Sequence, residues 1–330
     1  MTAPGEPAPS LAELGEFGLI ARLTAGLPPA AGVEVGVGDD AAVLRPTPGW
    51  RLVVTTDVVV EGRHFSPALS DPEDWGWKAV AVNLSDLAAM GAEARWLVVA
   101  LTLPPETGTA LLDRVYAGLR ECCLEFAVGL AGGDTSAGPV LSLAVTAIGE
   151  AEQVVTRAGA RPGDRLAVSA PLGAAAAGLE LLRRGEEPAR RLLDRFPGLV
   201  AAHRRPRPQL QAGRRLAAAG ASAMLDVSDG LAGDALHLAE ASGVGLELDA
   251  AAVPLAPGVA EAAALLGRDP LDLALAGGED FAIAAALPPD APAAGATVCG
   301  RFTADPARRV RRTPHGDLPL AGLAYDHFRG

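Results

Sequence analysis

Six short acidic clusters carry most of the chemistry this sequence could perform. They are Gly38-Asp39-Asp40, Thr55-Thr56-Asp57, Ser85-Asp86, Gly132-Gly133-Asp134, Asp226-Val227-Ser228-Asp229-Gly230 and Gly277-Gly278-Glu279-Asp280. Most lie at the ends of apolar segments. If they converge, hard divalent cations relieve their mutual repulsion best. Taken singly, each is read equally well as a turn or a helix cap, because Asp and Ser beside Gly favour both. Asp57 and Asp86 fit that plainer reading badly. Asp57 sits in the β-branched run RLVVTTDVVV, and Asp86 is the only charged residue between Lys78 and Glu93. A carboxylate in so apolar a setting must be protonated, paired or bound to a cation.

Other signatures are weaker or absent. Gly36-Val37-Gly38-Asp39-Asp40-Ala41 formally fits a dinucleotide fingerprint, but two carboxylates in the turn would repel a pyrophosphate and no helix is expected to follow. A P-loop is excluded, since the single lysine of the chain, Lys78, is followed by Ala79. Protein-kinase catalytic loops, G-x-S-x-G and H-E-x-x-H are missing as well. Nucleotide phosphates would have to be met by carboxylate-held metals, Gly-rich turns and arginine. Arg157 follows a strand and precedes a Gly-rich turn, so it is placed for a phosphate contact or for a plain surface role. His64 lies just after the Asp57 strand, within reach of a ligand, although a lone His is more often structural. His203 and His315 fall in basic segments expected to be exposed, and no role is assigned to them.

The elements that must position these groups can be read from periodicity. Helices are expected over Leu11–Leu27, Lys78–Glu93, Thr107–Phe126, Gly173–Arg184, Pro188–Arg207, Leu210–Ala219 and Gly258–Leu266, with another after Gly230. Strands are expected at Val33–Val37, Ala41–Leu44, Trp96–Leu103, Val140–Ile148, Arg165–Ser169, Val244–Leu248 and Phe281–Leu287. Leu52–Val60 reads as a strand that would be buried but for its polar centre. The mixture lacks the strict strand–helix alternation of a doubly wound sheet, and the pattern restarts near residue 150. It predicts an α+β chain of two domains, 1–150 and 151–330. At 330 residues the chain is long enough for two cores, and at 49% hydrophobic with 4% aromatic residues those cores must be mostly Ala, Val and Leu. The net charge of −12 argues against nucleic acid and anionic membranes as partners. The N-terminal stretch lacks the pattern of a signal peptide, and three cysteines without C-x-x-C suggest the reducing cytoplasm.

In order along the chain, these motifs resemble thiamine-monophosphate kinase, of the superfamily containing aminoimidazole ribonucleotide synthetase, selenophosphate synthetase and a hydrogenase-maturation protein. The resemblance rests on Gly38-Asp39-Asp40-Ala41-Ala42, Thr55-Thr56-Asp57 with Glu61–Phe65, Lys78–Ala92, Gly132–Thr135, Arg157–Ala160, Asp226–Leu231, Gly277–Phe281 and Tyr325–Phe328. It implies two α/β domains of the aminoimidazole ribonucleotide synthetase-like type. The N-terminal one, with a mixed sheet, would bind metal and ATP and make a homodimer contact; the C-terminal one would complete the nucleotide and substrate sites. It also implies direct transfer of a phosphoryl group from ATP to thiamine phosphate. Carried over by position, Asp40, Thr55, Thr56, Asp57, Asp86, Asp134, Asp226 and Asp229 would hold several Mg²⁺ ions. Gly133, Asp134, Arg157 and Ser228 would contact ATP, and His64, Glu279 and Tyr325 would line the thiamine phosphate pocket. No general base is expected, because the attacking phosphate oxygen is already ionised. Phe281 stands where the family usually has Tyr, and Ser169-Ala170-Pro171 replaces a Thr-Gly step. The alternatives are a sister synthetase of the superfamily, for which the N-terminal Cys of selenophosphate synthesis is missing, and a non-catalytic nucleotide-binding assembly protein.

Overall fold

The computed structural model describes residues 8–27, 30–184 and 192–320. The chain divides into two compact units. The first comprises Met1–Asn83 with Ala94–Glu150, and the second Leu84–Glu93 with Ala151–Gly330.

In the first unit, helix α1 (Leu11–Thr24) starts at a reciprocal cap in which the Glu13 backbone N–H donates to Ser10 Oγ and the Ser10 N–H donates to the Glu13 carboxylate. Short strands β1 (Val33–Val35) and β2 (Val43–Leu44) pair antiparallel around the Asp39-Asp40 loop. Strands β3 (Arg51–Val60), β4 (Glu93–Leu103), β5 (Gly129–Ala137) and β6 (Ser142–Ala151) form a four-stranded sheet in the order β3-β6-β4-β5. Helices α2 (Pro72–Ala89) and α3 (Thr109–Glu125) belong with it. Leu97, Val99 and Leu101 of β4 and Leu143, Val145 and Ala147 of β6 are buried, while Val98, Ala100 and Thr102 of β4 and the alternate residues of β6 from Ser142 to Ile148 are only half-buried. That period of two marks a sheet with one covered face and one open face.

Two expectations fail here. Helix α2 stops at Ala89 and Glu93 already begins β4, because Gly91 takes a left-handed φ of 73° that ends the helix. Strand β3 is not a buried strand. Leu52, Val54 and Val58 are 52%, 60% and 49% exposed, since β3 is an edge strand whose outer apolar side chains nothing among the described residues covers.

The second unit is built on a seven-stranded sheet of β7 (Arg165–Val168), β8 (Ala223–Asp226), β9 (Gly245–Asp249), β10 (Ile283–Leu287), β11 (Thr297–Thr303), β12 (Arg309–Thr313) and β13 (Gly316–Pro319). Its order is β13-β12-β9-β11-β7-β10-β8, with β12 and β9 parallel and β10 antiparallel to both β7 and β8. Both faces are covered. Ala284 and Ala286 join one core with Leu231, Ala235 and Leu238, whereas Ile283, Ala285 and Leu287 join another with Leu216, Met224 and Ala88. The last turns of α2 are thus part of this unit's core. The helices are α4 (Ala174–Arg183), α5 (Pro197–Arg204), α6 (Leu210–Ala218), α7 (Leu231–Ser242), α8 (Val259–Leu266) and α9 (Pro270–Ala276). The helix expected over 188–207 is narrower where it is described: after Arg204 the chain leaves the helix ahead of Pro206 and Pro208. Among the described residues no helix is long and apolar enough to cross a membrane.

Candidate functional site

The first unit holds five of the proposed metal ligands. Asp40 is exposed in the β1–β2 loop, where its backbone N–H donates to Asp39 Oδ1 at 2.8 Å. Thr55, Thr56 and Asp57 lie side by side in β3. Thr56 Oγ1 donates to the Val145 carbonyl at 3.1 Å and receives Thr146 Oγ1 at 3.2 Å, which fixes its rotamer on the sheet. Asp57 is held through its backbone, whose N–H donates to Asn83 Oδ1 at 2.9 Å. Asn83 is fully buried and in turn donates from Nδ2 to the Ala79 carbonyl at 2.9 Å, so one amide ties β3 to α2. The surrounding protein pushes the Asp57 carboxyl above its ordinary range. Asp134 and Gly133 are exposed on β5, at the opposite edge of the sheet from Asp57. Three strand spacings of roughly 4.8 Å separate those edges, so the two carboxylates do not share one ion within this sheet. Gly133 has a structural reason to be glycine, since a Cβ there would come within 2.2 Å of the Val99 carbonyl oxygen on β4. His64 Nδ1 accepts from the Val60 N–H at 3.1 Å, and the buried Lys78 Nζ reaches the His64 carbonyl at 3.5 Å.

The second unit gathers its acids more tightly. Asp226 ends β8, is buried, and accepts from Ser85 Oγ at 2.6 Å. Asp86, half-buried, follows Ser85 directly, so the end of α2 and the end of β8 bring their carboxylate-bearing segments together. Beyond Asp226 the chain turns through Ser228 and Asp229 into α7, whose first turn carries Asp234. Asp234 is buried and accepts from the Asp229 N–H at 3.0 Å. Burial first, then the nearby charges of Asp229 and Asp226, push its carboxyl up to about 7. Asp234 has no place among the residues expected from sequence. The signal was available, because it is a single acid in the apolar helix start LAGDAL, the same argument that singles out Asp86.

Among the described residues, no three His, Cys, Asp or Glu side chains stand close enough to hold a metal ion by themselves. Oxygen-only donors supplied one or two at a time, completed by water and substrate phosphate, suit Mg²⁺ rather than a closed protein cage. Asp226 at the end of β8 and Asp229 in the turn that follows are donors of that kind.

Facing this turn in the same unit is the Gly277–Phe281 loop. The Glu279 N–H donates to the Ser228 carbonyl at 2.8 Å and the Phe281 N–H to the Val227 carbonyl at 2.9 Å. Asp280 accepts the N–H groups of Gly173 at 2.6 Å and Ala175 at 3.2 Å at the start of α4, yet burial still lifts its carboxyl to about 6. Glu279 and Phe281 both adopt left-handed backbone conformations, φ 57° and 50°. Strain of this kind at non-glycine residues concentrates at ligand sites. The expectation for His203 is reversed, since it is buried with Nδ1 3.0 Å from Glu279 Oε2, while His315 is exposed as expected. Arg157 is exposed in the loop after β6, which lies against β8 through the Met224 N–H donating to the Thr156 carbonyl at 3.0 Å. Tyr325 lies outside the described residues.

Comparison with known proteins agrees across the chain. Residues 38–151 match the AIR synthase related protein, N-terminal domain, and residues 161–310 the corresponding C-terminal domain. The chain is 41% identical over 303 residues to the thiamine-monophosphate kinase of Mycobacterium tuberculosis, covering 91% of this chain and 88% of that one. It is 37% identical over 335 residues to that of Synechococcus elongatus, covering 97% and 98%. The solved structure of AaThiL complexed with AMPPCP and TMP superposes with a TM-score of 0.76 at 32% identity, covering 97% of this chain and 99% of that one. A hydrogenase maturation protein in complex with ATP, at 22% identity and a TM-score of 0.68, covers 88% and 89% and shares the fold.

Proposed function

The chain belongs to the thiamine-monophosphate kinases of the AIR synthase related family, and from that premise we propose how its residues divide the work. The reaction is transfer of the ATP γ-phosphoryl group to thiamine phosphate, giving thiamine diphosphate and ADP. Both substrates are anionic and the chain itself carries a net charge of −12, so the first task is to offset repulsion. In the first unit Asp40, Thr55, Thr56, Asp57 and Asp134 are metal ligands; in the second, Asp86, Asp226 and Asp229. The donors fit Mg²⁺, being carboxylates and hydroxyls, and the acids crowded around Asp234 carry charge that a divalent cation would relieve. When bound, Mg²⁺ neutralises phosphate oxygens and stabilises charge during in-line transfer.

The remaining residues bind and orient. Gly133, Asp134, Arg157 and Ser228 contact ATP, and His64, Glu279 and Tyr325 contact thiamine phosphate. The nucleophile is an ionised phosphate oxygen, so no side chain needs to remove a proton, and catalysis is positioning plus electrostatics. Glu279 is the group whose charge matches the cationic thiazolium ring. The open face of the first unit's sheet, with Leu52, Val54 and Val58 outward on β3, supports a homodimer in which a second copy covers it. Three buried cysteines, none of them in a disulfide, accord with a cytoplasmic setting.

The observation that carries the reading is the Ser85–Asp226–Asp234 arrangement, which brings buried carboxylates together where β8 ends and α7 begins. The deciding experiment measures ADP release with ATP, Mg²⁺ and either thiamine phosphate or unphosphorylated thiamine. Turnover is expected with the phosphate ester and not with thiamine; equal turnover with both would remove the assigned acceptor.

A further inference from the structure

Asp234 has no role among those above, yet it holds the turn that carries Ser228 and Asp229. Two elements fix that turn. From the loop after α9, the Glu279 N–H donates to the Ser228 carbonyl at 2.8 Å and the Phe281 N–H to the Val227 carbonyl at 2.9 Å, while the Val227 N–H donates to the Ala282 carbonyl at 2.7 Å. From α7, Asp234 holds the turn with both its backbone and its side chain. Its N–H donates to the Gly230 carbonyl at 3.1 Å, and its buried carboxylate accepts from the Asp229 N–H at 3.0 Å. The Ser228 N–H also stabilises that carboxylate.

A helix start is ordinarily capped by the side chain of the residue just ahead of it, most often Ser, Thr, Asp or Asn. Ahead of α7 that residue is Gly230, with φ 106°, and a Cβ on it would come within 2.5 Å of the Leu275 carbonyl oxygen. The last turn of α9 therefore leaves no room for a capping side chain there. Asp234, one helical turn further on, reaches back and does the capping instead.

We propose that Asp234 is a positioning residue for phosphoryl transfer, locking the Ser228–Asp229 turn in the conformation that presents Asp229 to Mg²⁺ and Ser228 to ATP. The inference rests on the assignment of those two residues made above. The bond to Asp234 comes from the backbone of Asp229 and not from its side chain, so it fixes where the Asp229 carboxylate starts without using that carboxylate. Outer hydrogen bonds of this kind, which orient the donors of a metal site, are worth roughly 10–100-fold in metal affinity. A cap alone would lower stability without singling out the cation.

The test uses the full-length enzyme as wild type, Asp234→Ala, Asp234→Asn, Asp234→Glu, Asp229→Asn and the Asp229→Asn/Asp234→Ala double variant. Mn²⁺ binding in the presence of ADP is read from the electron paramagnetic resonance signal of the free ion, against a protein-free control. KM values for both substrates are measured with Mg²⁺. Asp234→Ala is expected to weaken Mn²⁺ binding and raise KM for ATP about tenfold each, with KM for thiamine phosphate within about twofold. Asp234→Asn keeps an oxygen that can accept from the Asp229 N–H and should recover most of both losses. Asp234→Glu keeps the charge but moves the acceptor by one methylene, so it should bind Mn²⁺ less well than Asp234→Asn. That order decides the matter even if the alanine variant does not fold. In the Asp229→Asn background, Asp234→Ala should add little to the loss of Mn²⁺ affinity.

An asparagine variant as poor as alanine, a glutamate variant better than asparagine, or an undiminished effect in the Asp229→Asn background would overturn the positioning role. If Asp229→Asn itself leaves Mn²⁺ binding unchanged, the assignment of Asp229 fails and the proposal with it. If Asp229→Asn weakens Mn²⁺ binding and Asp234→Ala does not, only the role of Asp234 is lost.

Discussion

Asp226 carries two demands at once, since it must accept the short hydrogen bond from Ser85 and, in our reading, hold a cation. Asp226→Asn separates them, because an amide oxygen can still accept from Ser85 while the charge is gone. We expect Mg²⁺-dependent turnover to fall about 100-fold or more, with the thermal transition close to wild type. Asp57→Asn and Asp86→Asn should behave alike, and wild-type rates in all three would dissolve the metal assignment. Asn83 works differently. Its side chain touches only backbone in the contacts described above, so Asn83→Ala strips a partner from both the Asp57 N–H and the Ala79 carbonyl. The expected cost is about 1–3 kcal/mol of stability, read from the denaturant midpoint, with activity lost only as the fold is lost. A variant as stable as wild type would show that the amide is dispensable.

At the scale of elements, Asp280 is the informative group because it joins the substrate loop to the start of α4. Its folded pKa of about 6 lies above the 3.8 of a free aspartate, with burial outweighing the helix N–H groups that favour the charged form. The sign follows from that order. The contribution of the neutral acid to stability is complete below about 3.8 and is lost as pH rises through about 6. Asp280→Asn cannot ionise, so wild type should lose about 1 kcal/mol relative to this variant between pH 5 and pH 7.5 in denaturant titrations. Parallel stabilities across that range would mean that Asp280 is ionised throughout. Elements of this kind were partly legible beforehand. The helix at Gly173–Arg184 and the turn at Gly277–Asp280 could be read because apolar periodicity and glycine punctuate the chain locally. That His203 would be buried against Glu279 could not, because the pair is set by the packing of α5 on α4, and its basic neighbours give the segment the composition of a surface. The exposure of β3 was missed for a related reason: a β-branched run is the same whether its outer face meets a helix or a second molecule.

For the molecule as a whole, that open sheet face and the net charge of −12 pull in opposite directions. Covering Leu52, Val54 and Val58, each about half exposed, is worth roughly 1 kcal/mol apiece, or about 6 kcal/mol over the two copies of a symmetric pair. A micromolar complex needs about 8 kcal/mol, so the contact must extend beyond this stripe onto the rest of the uncovered face. Two equally charged acidic chains repel over the Debye length, roughly 30 Å at 0.01 M salt but only about 8 Å at 0.15 M. Apolar burial is not screened in that way. Dimerisation should therefore tighten as salt rises over this range, the reverse of an interface held by ion pairs. Light scattering coupled to size exclusion is the measurement, with Val54→Asp/Val58→Asp expected to remain monomeric at both salt concentrations. A dimer that survives the double substitution would place the contact elsewhere, and one that loosens with salt would mean that opposite charges rather than these side chains hold it together.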